Sequence, residues 1–170
     1  MKRIITYLMS AMMLLSLASC YKSDRIFDET AAQRTEERIE LCRNALVARE
    51  TWVMEYFPDE DLRYGGWIYV LQFSPDYTVK VWFEGAGFIP QTDPVTESEY
   101  RVELSTGPML KFSTNNDYIH FFSFPGGPNG GGYRGWGGDH EFTIMSVSDN
   151  YDEIILKGLK SFNRIRLTPL

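Results

Sequence analysis

Gly66-Trp67-Ile68-Tyr69-Val70-Leu71-Gln72-Phe73-Ser74, followed after Pro75-Asp76 by Tyr77-Thr78-Val79-Lys80-Val81-Trp82-Phe83-Glu84, is the stretch that decides the fold. Successive side chains of a strand point to opposite faces, so a period of two separates the residues into two sets. In the first run Trp67, Tyr69, Leu71 and Phe73 share one face and Ile68, Val70 and Gln72 the other, and both faces are apolar. In the second, Tyr77, Val79, Val81 and Phe83 oppose Thr78, Lys80, Trp82 and Glu84, which leaves one side in water. Ser74-Pro75-Asp76 favours a tight reversal because proline presets φ. The two runs therefore predict an antiparallel pair.

Outward from this pair the same period recurs to the C-terminus. Strands are expected at Trp52 to Phe57, Gly66 to Ser74, Tyr77 to Glu84, Ser98 to Ser105, Met109 to Thr114, Tyr118 to Phe124, His140 to Val147, Glu153 to Gly158 and Phe162 to Thr168. Before them, from Thr30 to about Glu50, Ile39, Cys42, Ala45 and Leu46 recur at helical steps, and Thr30 with Gln33 reads as a capping box. The fold class is mainly β: an N-terminal helix, then an antiparallel meander forming a curved sheet or a lipocalin-like barrel, with a two-sheet β-sandwich as the alternative. Two interruptions stand out, Gly85 to Glu97 and Pro125 to Gly138. The second carries eight glycines, its large side chains are Tyr133, Arg134 and Trp136, and it reads either as a mobile contact surface or as a flexible insertion with one aromatic folded back on the barrel.

The start of the chain gives an address. Lys2 and Arg3 precede an apolar run from Ile4 to Leu17 that ends in Leu17-Ala18-Ser19-Cys20, the pattern of a lipoprotein signal too short to span a bilayer. The cysteine after the cut receives the diacylglycerol, so Cys20 is the expected lipidation site. Several acyl chains, palmitate among them, anchor stably at about 0.8 kcal/mol per buried methylene. The organisation expected is residues 1–19 as signal peptide, 20–29 as lipidated tether and 30–170 as one helix-plus-β domain. With 17 basic and 23 acidic residues the formal charge is −6, and removal of Lys2 and Arg3 makes it more negative. An acidic chain without a basic cluster excludes nucleic acid as a partner. With Cys20 acylated, Cys42 has no disulfide partner, and its place in the helical pattern suits a small buried hydrophobe.

Signals for chemistry are sparse. Tyr133, Arg134 and Trp136 offer flat faces and polar atoms for a carbohydrate or peptide ligand, with Asp139 and His120 as further candidate contacts. Trp67 and Trp82 read as packing residues. Asp139, His140 and Glu141 form a compact titratable cluster, with strand alternation placing the two carboxylates on one face and His140 on the other. That pair suits either a hydrolase using Asp139 and Glu141 or the edge of a strand. His120 joined to His140 gives two nitrogen ligands where catalytic zinc uses three, so no metal and no cofactor is expected. Nucleophile elbow, zincin, phosphate-loop and EF-hand patterns are absent, which leaves no catalytic residue to assign.

The segments Thr51-Trp52 to Tyr56-Phe57-Pro58, Gly65-Gly66-Trp67 to Leu71-Gln72-Phe73, Ser98-Glu99-Tyr100, Gly107-Pro108-Met109-Leu110-Lys111-Phe112, His120-Phe121-Phe122-Ser123, Gly138-Asp139-His140-Glu141-Phe142 and Ile155-Leu156-Lys157-Gly158-Leu159-Lys160 together resemble a Bacteroidota lipoprotein family whose domain has no assigned function. Members of that family usually continue beyond the equivalent of Leu167-Thr168-Pro169, so the resemblance implies a short or truncated member. It also implies an outer-membrane lipoprotein of the cell envelope, encoded near importers of the SusC/SusD type. Tyr21-Lys22-Ser23-Asp24 only partly matches the acidic run that promotes surface display, which leaves the periplasmic and the outer face both open. The resulting expectation is a lipid-anchored binding or accessory module for glycan or peptide capture. A hydrolase and a structural subunit of an importer complex are the alternatives.

Overall fold

A computed structural model describes residues 28–89, 93–125 and 135–170. The chain divides after Arg34 into two units. In the first, residues 28–34 carry the start of helix α1 (Ala31–Val47). There Thr30 N and Oγ1 donate to Gln33 Oε1 at 2.9 Å, and Gln33 N donates back to Thr30 Oγ1 at 3.2 Å. This reciprocal box satisfies donors that the first turn of a helix leaves free.

In the second unit α1 continues and buries Cys42, Ala45 and Leu46. Burial pushes the Cys42 thiol up, against a weaker opposing pull from Arg38, so it packs as a hydrophobe. Eight strands follow: β1 (Trp52–Tyr56), β2 (Trp67–Phe73), β3 (Thr78–Phe83), β4 (Thr96–Leu104), β5 (Pro108–Phe112), β6 (Glu141–Val147), β7 (Ile154–Gly158) and β8 (Arg164–Pro169). Each pairs antiparallel with the next, and β8 returns to β1 in a register from Trp52 opposite Pro169 to Glu55 opposite Arg166. The barrel is closed, which selects it over both the open sheet and the sandwich. Closure leaves no strand edge to pair with another chain.

Alternation fills the interior. Tyr69, Leu71 and Phe73 of β2 and Val79, Val81 and Phe83 of β3 point inward with Trp52, Met54, Tyr56, Tyr100, Phe112 and Phe142. Rings interlock there: Tyr69 stacks on Phe83 at 4.5 Å, and Phe73 meets Tyr100 edge-on at 4.9 Å. An eight-stranded barrel encloses about the space its own side chains need. Polar tips find partners at its ends, Tyr69 Oη donating to Tyr118 O at 3.1 Å and Trp52 Nε1 to Leu46 O at 2.8 Å. Between β6 and β7 the register shifts at Ile144/Ser146, and Met145 at that break faces solvent.

One expected strand is absent: Tyr118 to Phe124 forms consecutive turns. Asn116, fully buried, accepts at Oδ1 from Tyr118 N, Ile119 N and Thr96 Oγ1 and donates from Nδ2 to Ser98 Oγ. His120 N then donates to Asn116 O, and Phe124 N to His120 O, at 2.9 Å. The side chain of Asn116 thus offers the backbone a local alternative to a ladder. Tyr118, Ile119 and Phe122 are buried at three- and four-residue steps, the helical period rather than the strand period.

Because the strands run antiparallel in sequence order, their connections alternate between the two ends. The β2–β3, β4–β5 and β6–β7 reversals share one end with the C-terminus of α1. There Arg49 donates to Tyr151 O and Asn150 O at 2.9 and 2.8 Å, and Arg43 lies over the Tyr77 ring at 4.7 Å. The described parts of the longer connections, residues 57–66, 84–89, 93–95, 113–125 and 135–140, gather at the other end with the 159–163 turn. Asn116 links that end to β4, so Asn116→Ala strands two buried amide hydrogens and should lower stability by about 2 to 4 kcal/mol. Urea unfolding of the variant against wild type measures the loss.

Candidate functional site

A cleft of about 500 Å³ opens at the long-loop end, lined by Asp59, Arg63 and Tyr64, by 135–137, and by Leu159 to Phe162, with Glu60 and Asp61 at its acidic side. Each wall is pinned by named bonds. In the β1–β2 loop the guanidinium of Arg63 grips Asp59 through two bonds of 2.8 Å, and those hydrogen bonds hold the Asp59 carboxyl below its usual range. Asn163 Nδ2 donates to Phe57 O and Asp59 O at 3.0 and 2.7 Å, fastening this loop to the start of β8.

The wall from the β7–β8 turn depends on Asp139. Its carboxylate, buried, accepts from Lys160 N at 2.5 Å, Ser161 N at 3.1 Å and Ser161 Oγ at 2.5 Å. Asp139 N in turn donates to Tyr56 Oη at 2.7 Å, and Tyr56 Oη donates to Asp139 O at 3.1 Å. Burial drives the Tyr56 hydroxyl far above the usual tyrosine range, so it remains a neutral donor.

Trp136 forms the third wall. Its ring stacks on Tyr64 at 4.7 Å and 13°, and it also meets Phe122 at 5.7 Å and Phe121 at 6.0 Å. Trp136 N and Gly138 N both donate to Phe122 O. Gly138 permits this approach: a Cβ there would stand 2.5 Å from Phe122 Cβ and 2.6 Å from Tyr56 Oη. Trp136 is thus folded back on the barrel, as one of the two readings of this segment expects, and Gly138 serves that close contact.

The remaining sequence-derived residues separate. Cys20, Tyr133 and Arg134 lie outside the described residues. Asp139 and Glu141 do not converge: the first turns inward to the 160–161 turn, while the second pairs at 2.9 Å with Lys111, whose ammonium that contact pushes up. His120 and His140 come together, their rings stacked at 4.6 Å and 28°. His120 Nδ1 lies 3.1 Å from Asn116 N, while His140 Nδ1 is shut from solvent without a partner among the described residues. No group of three or more metal-ligating side chains occurs among the described residues. Trp67 is half-buried against Phe83 and Phe122, whereas Trp82 lies half-buried on the outer face. Sequence reasoning missed Asp59, Arg63, Tyr64, Lys160 and Phe162. The four-residue spacing of Asp59 and Arg63 was the one available signal.

Residues 23–170 match the family described as "Domain of unknown function (DUF4302)", and the chain belongs to that family. No curated protein and no solved structure matches it.

Burial lowers the pKa of both histidines, His120 depresses that of His140 further, and Lys160 adds to both. The bond to Asn116 and the charge of Asp117 oppose this at His120, as Glu141 and Asp139 do at His140. A histidine whose folded pKa is depressed contributes stability above its unfolded value of about 6.5 and loses it as pH falls toward the folded value. Unfolding free energy should therefore decline as pH drops below about 6.5, and His140→Gln should flatten that slope. Urea titrations across this pH range for both proteins give the comparison.

Proposed function

We propose that this protein is a lipid-anchored binding module of the cell envelope, held through Cys20, and that the cleft between the 59–64 loop, residues 135–137 and the 159–162 turn takes a glycan or peptide ligand. The observation that carries the reading is the Tyr64–Trp136 stack set into a cleft beside Arg63 and Lys160. A pair of parallel rings offers a flat apolar face, and the groups around it supply donors and acceptors of both signs. The barrel interior is occupied by its own rings, so the long-loop end is where a ligand finds room. Leu17-Ala18-Ser19-Cys20 supports the anchor, and no helix among the described residues is long and apolar enough to cross a membrane.

Screening the full chain in mild detergent against glycan and peptide arrays tests the cleft. Tyr64→Ala should reduce retention by about tenfold or more, because a stacked contact residue in a desolvated pocket contributes above 1 kcal/mol. Retention unaffected by that variant places binding elsewhere. The anchor has its own check: wild type should incorporate labelled palmitate and sediment with membranes, and Cys20→Ala should do neither.

A further inference from the structure

Among the described residues two carboxylates are buried, Asp59 and Asp139, and each is bonded to residues that line the cleft. Asp139 holds the backbone of the 160–161 turn. Asp59 holds a side chain: Arg63 Nε donates to its Oδ2 and Arg63 Nη2 to its Oδ1, each at 2.8 Å, while the Arg63 side chain is itself 64% exposed. A pair with one charge buried and the other in water is a poor source of stability, because a solvated partner only partly replaces the hydration that the buried carboxylate gives up. The turn also closes without the guanidinium. Leu62 N donates to Asp59 O at 3.0 Å, Gly65 N to Leu62 O at 3.1 Å, Arg63 N to Asp59 Oδ2 at 3.3 Å and Asn163 Nδ2 to Asp59 O at 2.7 Å.

What the bidentate fork does fix is the direction of the guanidinium. Of its five N–H groups two go to Asp59, and the remaining three, both on Nη1 and one on Nη2, take no partner among the described residues. Asp61 Oδ2, 3.9 Å from Nε, is beyond hydrogen-bond reach. Arg63 Cζ lies 5.8 Å from the centroid of the Tyr64 ring, so this free edge stands beside the Tyr64–Trp136 stack. Glu60 and Asp61 add acceptors to the same cleft and Lys160 adds a donor. Together with Asp59 the lining sets three carboxylates against two cations, a balance that favours neither an anionic nor a cationic ligand. Only Leu159 and Phe162 line it with side chains lacking a polar atom, and the closed barrel has no strand edge to take a peptide backbone.

We propose that Arg63 is a ligand-contacting residue that sets the specificity of the cleft, that buried Asp59 is its positioning residue, and that the ligand is a neutral saccharide. This rests on reading the cleft as a binding site and narrows its ligand from glycan or peptide to glycan. A sugar ring has an apolar face of C–H groups and a rim of hydroxyls, each both donor and acceptor. The flat Tyr64–Trp136 pair suits the face, and the free N–H edge of Arg63 with the carboxylates of Glu60 and Asp61 suits the rim. Reading hydroxyls takes donors fixed in direction rather than an excess of charge, and a guanidinium locked by a buried carboxylate is such a donor, ordered before the ligand arrives.

The test uses the full chain in mild detergent against immobilised neutral hexasaccharides of glucose, mannose and xylose, with hexuronic-acid hexasaccharides and hexapeptides of mixed composition probed in parallel. Wild type should retain at least one neutral hexasaccharide in preference to the other two classes. Arg63→Lys keeps the charge and loses the fork, so it should lower that retention about tenfold while leaving Tm within about 2 °C. Asp59→Asn should lower retention similarly in the wild-type background and add no further loss in an Arg63→Ala background, because a residue that acts through Arg63 has nothing to position once the guanidinium is gone. Unchanged retention in Arg63→Lys, or a Tm lowered by several degrees, overturns the proposal, since the side chain is then a bystander or structural. A loss from Asp59→Asn that persists without Arg63 overturns the positioning role. Preference for acidic saccharides or peptides, or retention of no neutral saccharide, overturns the assigned ligand. If Tyr64→Ala abolishes retention while Arg63→Lys keeps it, the cleft stands and the role of Arg63 falls. If neither affects it, the cleft reading itself falls.

Discussion

The buried carboxylate of Asp139 is the constraint on which the long-loop end depends. Burying a charge is unfavourable unless hydrogen bonds replace its hydration, and here two backbone amides and a hydroxyl do so. Those donors belong to the 160–161 turn, so satisfying the carboxylate fixes the turn. The requirement reaches back into the sequence: a Cβ at Gly158 would stand 2.2 Å from Asp139 Oδ2, so β7 must end in glycine for the carboxylate to fit. It reaches inward too, because Tyr56 Oη bonds Asp139 N and O while its ring packs on Tyr69, Phe122 and Phe142. One residue thus couples the core, the start of β6 and one wall of the cleft.

The two ends of the barrel divide their roles for a topological reason. A meander of even strand number sends alternate connections to opposite ends, so loop lengths can segregate without any crossing. At one end three short reversals and α1 complete the core, with Arg49 and Trp52 tying the helix to the strands. At the other, longer connections bring together residues distant in sequence: Asn163 reaches Asp59, and Trp136 reaches Tyr64. Recognition on a rigid scaffold is commonly built from such connections.

Much of the architecture was legible from period alone. The alternation in Trp67 to Phe73 and Thr78 to Phe83 set two strands, and the inward face of the second, while the apolar residues on both sides of the first left its inward face to be read from the barrel; the steps among Cys42, Ala45 and Leu46 set the helix. Tyr118 to Phe124 misled because aromatic residues favour strands, while the deciding bond comes from the side chain of Asn116 outside the run. The cleft was less legible. Trp136 stood out by size, yet its stacking on Tyr64 is a contact between residues far apart in the chain. Asp139 drew notice as half of an acidic pair, and only the closed barrel shows its oxygens turned to a different partner from that of Glu141. Closure itself was open to the sequence as one option, because strand pattern does not say whether β8 meets β1.

Hydrogen bonds within the fold preorganise the cleft: the Arg63–Asp59 pair and Asn163 hold one wall, and backbone bonds hold the others. Trp136 N is held by Phe122 O, Leu159 N by Glu141 O and Gly158 N by Asn163 O, so the walls keep their backbone positions while Tyr64, Lys160 and Phe162 remain presented. Ordering a loop on binding consumes free energy that contacts must otherwise supply, and walls already ordered avoid much of that cost. The His120–His140 stack adds a further link, joining the turn that carries Phe122 to the segment that carries Asp139 into β6. The contact ties the turn whose Phe122 carbonyl holds Trp136 to the segment whose Asp139 carboxylate holds the 160–161 turn.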